Sequence, residues 1–254
     1  MQVSFVGAGP GDMELITLKG LNCLKKADVV IYAGSLVNPQ LLEYCKKEAE
    51  IHNSASMTLD EVIEVTQKAV SANKYVVRLH TGDPSIYGAI REQMDRLDEL
   101  KITYDVVPGV SSFVASAAAV KKEFTLPNIS QTVIITRREG RTPMPEGESL
   151  TSLAAHGASM CIFLSVQMID DVMQDLLKGG AYTKDTPVTV VEKASWPDEK
   201  IYSGTISTIA EKLKSAGVNK TAMIMVGEFL GNSDYDLSRL YADDFTHMFR
   251  EAKK

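Results

Sequence analysis

The chain has 254 residues, of which 44% are hydrophobic and 24% charged, with a net charge of −6. That length suits two domains of ordinary size with enough apolar surface to fold without staples. The acidic balance argues against duplex nucleic acid or an anionic membrane as the main partner, and leaves room for an anionic small molecule held by a few local arginines. Cys23, Cys45 and Cys161 fit no metal spacing. Cys161 lies in the run Met160-Cys161-Ile162-Phe163-Leu164 and reads as a small buried hydrophobe. A reducing, cytoplasmic setting is expected. No apolar stretch is long enough for a membrane span, and residues 2–6 read as a strand with no basic segment before them, so a soluble, unexported protein is expected.

In chain order, Val3-Ser4-Phe5-Val6 is the first strand candidate. Leu15, Leu18, Leu21 and Leu24 follow at helical spacing, and Asp28 to Tyr32 is a second, β-branched run. Thr58-Leu59-Asp60-Glu61 has the form of a capping box opening a helix with Leu59, Val62, Ile63, Thr66 and Val70 on one face. Further strands are expected at 75–80, 104–107, 132–136, 160–164, 187–191 and 222–226. Helical patterns fall near 86–99, 111–120, 149–156, 168–179 and 205–216. Such alternation predicts an α/β fold of mostly parallel sheets with helices on their faces. The charged, proline-containing stretch from Lys121 to Asn128 divides the elements into two groups. The expected division is therefore an N-terminal domain over 1–120, a linker over 121–130, a C-terminal domain over 131–242 and a tail over 243–254. That tail is expected to fray or to form a short amphipathic helix.

Three special turns follow strands of the first half directly. They are Gly7-Ala8-Gly9-Pro10-Gly11-Asp12, Thr81-Gly82-Asp83-Pro84-Ser85-Ile86-Tyr87-Gly88 and Pro108-Gly109-Val110-Ser111-Ser112. One such turn is an ordinary βα connection, because Gly, Pro, Asp and Ser dominate all turns. Three on one carboxyl edge mark the place where open α/β sheets bind ligands. The dinucleotide fingerprint fails, since position 12 is Asp where a third glycine is needed and no acidic residue ends the second strand. No Gly-Lys-Ser/Thr follows for a phosphate loop either. The cofactor site is therefore neither of these, and an adenosine-type cofactor on these turns is the expectation.

These turns, together with Leu15 to Gly20 and Ala27 to Tyr32, resemble the tetrapyrrole methyltransferase family over nearly the whole chain. Within the family, Ala55-Ser56-Met57, His80 to Pro84, Thr136 to Pro143 and Lys193 to Glu199 are most similar to the branch that methylates C11 of precorrin-4 or its cobalt form. Uroporphyrinogen methylases carry an Asp after the tyrosine of the second strand, and position 33 here is Ala. The resemblance implies two α/β domains of the class III S-adenosylmethionine-dependent type, a homodimer, a tetrapyrrole substrate, and S-adenosylmethionine bound in the cleft between domains. No nucleic-acid or membrane partner and no protein-bound metal are expected. Carried over position by position, it implies cofactor contacts at Pro10, Thr81, Gly82, Asp83, Ile86, Ser111, Ser112, Leu164 and Ala194.

Methyl transfer from a sulfonium to an electron-rich carbon is an in-line displacement, in which holding the reacting atoms in line supplies most of the acceleration. A proton must still leave. His80, Asp83 and Tyr87 are the catalytic candidates, with Glu139 beside them, and each has a structural reading as well. Arg137, Arg138 and Arg141 suit the acetate and propionate arms of a tetrapyrrole. With nearly equal weight they form a solvated loop paired with Glu139, Glu146 and Glu148. The other readings are methylation of a different corrinoid carbon or of uroporphyrinogen III, methylation of RNA or a translation factor, and a non-catalytic cofactor-binding module.

Overall fold

The computed structural model describes residues 2–231 and 235–252. The chain forms two compact units, one of residues 1–119 with 193–199, the other of 120–192 with 200–254. The stretch expected as a linker thus falls inside the second unit, and Lys193–Glu199 returns to the first.

The first unit is a five-stranded sheet of β1 (Val3–Gly7), β2 (Val29–Tyr32), β3 (Glu50–Asn53), β4 (Val76–His80) and β5 (Tyr104–Val107), ordered β3-β2-β4-β1-β5. All four of its pairings are parallel. Both faces are covered, which is why β2 is a continuous apolar run and why β1 and β4 are buried along their whole length. One face packs Val3, Phe5, Ile31 and Val76 against α2 (Leu59–Ser71) and α3 (Arg91–Glu99). The other packs Val6, Val30, Val77 and Leu79 against α1 (Leu18–Lys26). The strand β3 has the sequence Glu-Ile-His-Asn and a largely exposed edge position, so it lacks the apolar alternation by which a strand is read.

Caps set where these helices begin. Thr17 Oγ1 accepts from Gly20 N at 3.1 Å, which starts α1 at Leu18 rather than Leu15. The capping box at α2 is complete: Glu61 N donates to Thr58 Oγ1 at 3.3 Å and Thr58 N donates to Glu61 Oε2 at 2.6 Å. The helix α3 starts at Arg91 instead of near 86, because Tyr87 and Ala89 have φ of 54° and 49° and cannot belong to a right-handed helix.

The second unit is also a sheet with helices, ordered β6 (Val133–Arg137), β7 (Ser159–Phe163), β10 (Ala222–Val226), β8 (Pro187–Glu192) and β9 (Lys200–Thr205). Only β6 and β7 are parallel here; β10 runs antiparallel to both neighbours, and β8 and β9 form a hairpin. Parallel pairing therefore predominates over the two sheets together, and the antiparallel pairs are confined to the second. The hairpin follows from the short β8–β9 connection, since a parallel partner needs a long crossover. The helices α5 (Leu150–Ala154), α6 (Ile169–Lys178) and α7 (Ile209–Ala216) close a core of Met160, Ile162, Val188, Val190, Ile224 and Val226. The remaining helix, α4 (Ser112–Ala119), follows β5 in the first unit. Cys161 is fully buried in β7, and burial pushes its thiol up to about 12.

Neither expected form of the tail describes residues 243–252, and 253–254 lie outside the described residues. His247 and Arg250 form a two-way backbone bridge, and Arg250 NH2 donates to the carbonyls of Leu240 at 2.8 Å and Ala242 at 2.6 Å. The arginine fork holds an irregular turn where no helical period exists.

Replacing Thr58 with Ala removes one half of the α2 cap. A loss of about 1 kcal/mol in unfolding free energy is expected, read from urea denaturation, with the denaturant slope unchanged.

Candidate active site

The three turns lie side by side because β4, β1 and β5 are neighbours in the sheet. They are joined backbone to backbone. Gly82 N donates to Gly9 O at 2.8 Å and Gly9 N donates back to Gly82 O at 3.3 Å, while Ala8 N donates to His80 O at 2.7 Å. A Cβ on Gly109 would lie 2.1 Å from Gly82 O, and one on Gly7 would lie 2.6 Å from both Gly82 O and Gly109 Cα. No other residue fits either position. The Asp83 carboxylate fastens the second turn to the third: Oδ2 accepts from Gly109 N at 2.9 Å, and Oδ1 accepts from Ser85 N at 2.8 Å. Thr17 Oγ1 donates to Pro108 O at 3.4 Å and links the start of α1 to the third turn.

The returning segment Lys193–Glu199 packs on the first turn. Trp196 Nε1 donates to Pro10 O at 2.9 Å, and Asp12 N donates to Ser195 Oγ at 3.0 Å. The indole occupies the space that a side chain at Gly11 would need, with Cδ1 2.2 Å from that Cβ position. Ala194 is buried in the same segment. Of the nine expected cofactor positions, Pro10, Thr81, Gly82, Asp83, Ile86, Ser111, Ser112 and Ala194 therefore belong to one unit. Leu164 belongs to the other, where it directly follows β7 with φ of 54° and is 69% exposed. A left-handed, exposed leucine is a strained arrangement of the kind that concentrates at functional sites.

Beneath the second turn, on the α2/α3 side of the sheet, lies a cavity of about 280 Å³ lined by Thr81, Ile86 and Tyr87 and by Arg78, His80 and Gln93, among others. His80 is 4% exposed with its ring 6.0 Å from that of Phe5. Burial, and then the Arg78 charge, hold its imidazole down at about 3, so it is neutral at neutral pH. Arg78 Nε donates to Gln93 Oε1 at 3.1 Å and NH1 to Ile31 O at 3.1 Å, and Gln93 Nε2 donates to Ala89 O at 2.9 Å. This chain of bonds fixes the loop around Tyr87, which is half-exposed. Arg78 and Gln93 were not among the expected site residues; the available signal was an arginine inside the apolar run Val76-Val77-Arg78-Leu79, which demands partners once buried.

The arginine loop is built differently from either expectation. Arg138 Nε donates to Asp175 Oδ2 at 2.7 Å and its NH1 lies 3.5 Å from Asp171 Oδ2 on α6, rather than pairing with Glu139, Glu146 or Glu148. Arg137 folds back onto the carbonyls of Thr142 at 3.2 Å and Pro143 at 3.0 Å. Both shape the loop, while Arg141 is exposed, as is Glu139. Among the described residues no group of His, Cys, Asp and Glu is arranged to hold a metal ion, and no helix is long and apolar enough to cross a membrane.

Residues 2–210 match the family described as Tetrapyrrole (Corrin/Porphyrin) Methylases. The chain is 58% identical over 253 residues to the cobalt-precorrin-4 C(11)-methyltransferase of Methanocaldococcus jannaschii, covering 100% of this chain and 97% of that protein. A solved cobalt precorrin-4 methyltransferase, a cobalamin biosynthetic enzyme, superposes with a TM-score of 0.88 at 46% identity, over 90% of this chain and 95% of that one. The uroporphyrin-III C-methyltransferase of Thermus thermophilus, solved with S-adenosylhomocysteine, gives 0.77 at 28% identity, over 91% and 99%. The chain belongs to the tetrapyrrole methylases, with the class III fold of S-adenosylmethionine-dependent methyltransferases.

Between its ordinary value near 6.5 and about 3, His80 takes up a proton in the unfolded chain but not in the folded one. Stability therefore falls on acidification through that window, by up to about 1.4 kcal/mol per pH unit from this group. Urea midpoints measured from pH 7 to pH 4 should fall less steeply for His80→Asn than for the unaltered protein.

Proposed function

We propose that the protein transfers a methyl group from S-adenosylmethionine to C11 of cobalt-precorrin-4, in cobalamin biosynthesis. Full-length identity of 58% to a protein of that activity carries the choice of substrate. Support for the methyl donor comes from the fused glycine turns at the carboxyl edge of the first sheet and from the S-adenosylhomocysteine complex of the Thermus relative. The residues present fit such a donor: the turns at the carboxyl edge present glycine backbone with no side chain between them, to which a nucleoside and its amino-acid tail can come close. Pro10, Thr81, Gly82, Asp83, Ile86, Ser111, Ser112, Leu164 and Ala194 are the proposed contacts.

When bound, S-adenosylmethionine supplies a methyl group on a sulfonium, whose carbon–sulfur bond breaks as the ring carbon forms its new bond; a proton is then lost. The chain's part is to hold position and exclude water. Asp83 acts through the turn it fastens. His80, neutral and held far below the ordinary imidazole range, is a weak proton acceptor. Tyr87, half-exposed beside the cavity, is the candidate that keeps contact with solvent for passing a proton on. For the substrate's acidic arms we assign Arg141, since Arg137 and Arg138 are engaged within their own loop. A cytoplasmic homodimer completes the reading; Leu237, Tyr241, Met248 and Phe249, each at least 79% exposed, offer the apolar surface that a second copy would cover.

Incubation with labelled methyl donor and cobalt-precorrin-4, with the metal-free form in parallel, tests the assignment. One added methyl located at C11 is expected, and methylation elsewhere or none would sink it. Replacing Asp83 with Ala frees the Gly109 and Ser85 amides, and should weaken S-adenosylhomocysteine binding by about tenfold or more in calorimetry. Unchanged affinity would remove the second turn from the donor site.

A further inference from the structure

The cavity beneath the second turn holds two polar groups that the methyl-transfer chemistry leaves unused. His80 is 4% exposed, and its Nε2 has no hydrogen-bond partner. Arg78 is 9% exposed, and both of its bonds go to neutral oxygens, the Gln93 amide and the Ile31 carbonyl. Among the described residues no carboxylate pairs with it. Glu92 also lines the cavity, yet it is exposed and forms no ion pair with Arg78. A guanidinium carries five N–H donors, and a buried charge without a counter-ion is costly. The opposite walls are apolar, from Met57, Leu59 and Val62. The space, about 280 Å³, is wide enough for a short aliphatic chain ending in an acid group.

We propose that this cavity is a carboxylate subsite that takes one acetate or propionate arm of the tetrapyrrole. Arg78 supplies the charge, and His80, in the tautomer protonated on Nε2, donates a hydrogen bond to the second oxygen. The methylenes of the arm lie against Met57, Leu59 and Val62. Charge-assisted bonds of this kind are the strong ones, and they form where the receptor is already fixed. Gln93 provides that fixing, because it binds Arg78 and the Ala89 carbonyl together. An arm anchored here sets the distance of the ring from the second turn, which makes the pair specificity-determining. The inference rests on the tetrapyrrole reading for the identity of the arm.

The test uses the full chain with isotopically labelled histidine and follows the imidazole signals by NMR. Of the four histidines, His80 is identified by its contact with the Phe5 ring, so no variant is needed to assign it. Sodium propionate is titrated at constant ionic strength, with propionamide as the uncharged control. A saturable shift of His80 with propionate alone is expected, persisting when S-adenosylhomocysteine is at saturation. Arg78→Gln should weaken it by about tenfold or more. No response of His80 to propionate overturns the subsite. So does displacement of propionate by S-adenosylhomocysteine, which would assign the acid group to the methyl donor. Because propionate binding is read without turnover, this failure is distinguishable from failure of methyl transfer to C11.

Discussion

Everything at the candidate site depends on three turns whose backbones touch with no side chain between them. Gly82 O sits where a Cβ of either Gly7 or Gly109 would be. Such an approach brings the ends of β4, β1 and β5 closer than any residue with a Cβ allows. Hydrogen bonds between Gly9 and Gly82, and the two amides accepted by Asp83, then hold them in register. Backbone groups positioned this way lose little freedom when a ligand arrives, which is the condition for positioning to contribute to rate.

The sheet's two faces below that edge serve different ends. One packs a cluster of apolar side chains against α1. The other carries Arg78 and His80 on alternate residues of β4, pointing into the space between the sheet and α2/α3. Period-two alternation puts both on one side, so a single strand delivers a charge and a neutral hydrogen-bonding ring to one cavity. The cost of burying Arg78 is offset in part by its Gln93 and Ile31 bonds, and Gln93 also restrains the loop around Tyr87, while His80 Nε2 is left without a partner.

In the second unit, charge is used mainly for construction. Arg138 is neutralised by Asp175 and Asp171, and Arg137 caps carbonyls of its own loop. Arginines in a loop suggest an acid ligand equally whether free or occupied, because the sequence does not show which carboxylates α6 turns toward them. Arg141 in this unit and the cavity in the other are accordingly the places proposed for substrate recognition.

The sequence by itself determined four of the five strands of the first sheet, the α2 cap, the special turns and the family. Each of these is written in local residue chemistry: apolar runs buried on both faces, a Thr-x-x-Glu box, glycines where a side chain has no room. The edge strand β3 was illegible because an exposed edge has no apolar alternation to display. Only the tertiary structure decided that β10 enters the second sheet antiparallel to both neighbours, that Trp196 fills the space over Gly11, and that Arg78 and His80 share a cavity. Trp196 and Gly11 are far apart in the chain, β10 meets strands from other parts of it, and the walls of the cavity come from several elements. No local pattern encodes such partners; the packing of the whole unit selects them.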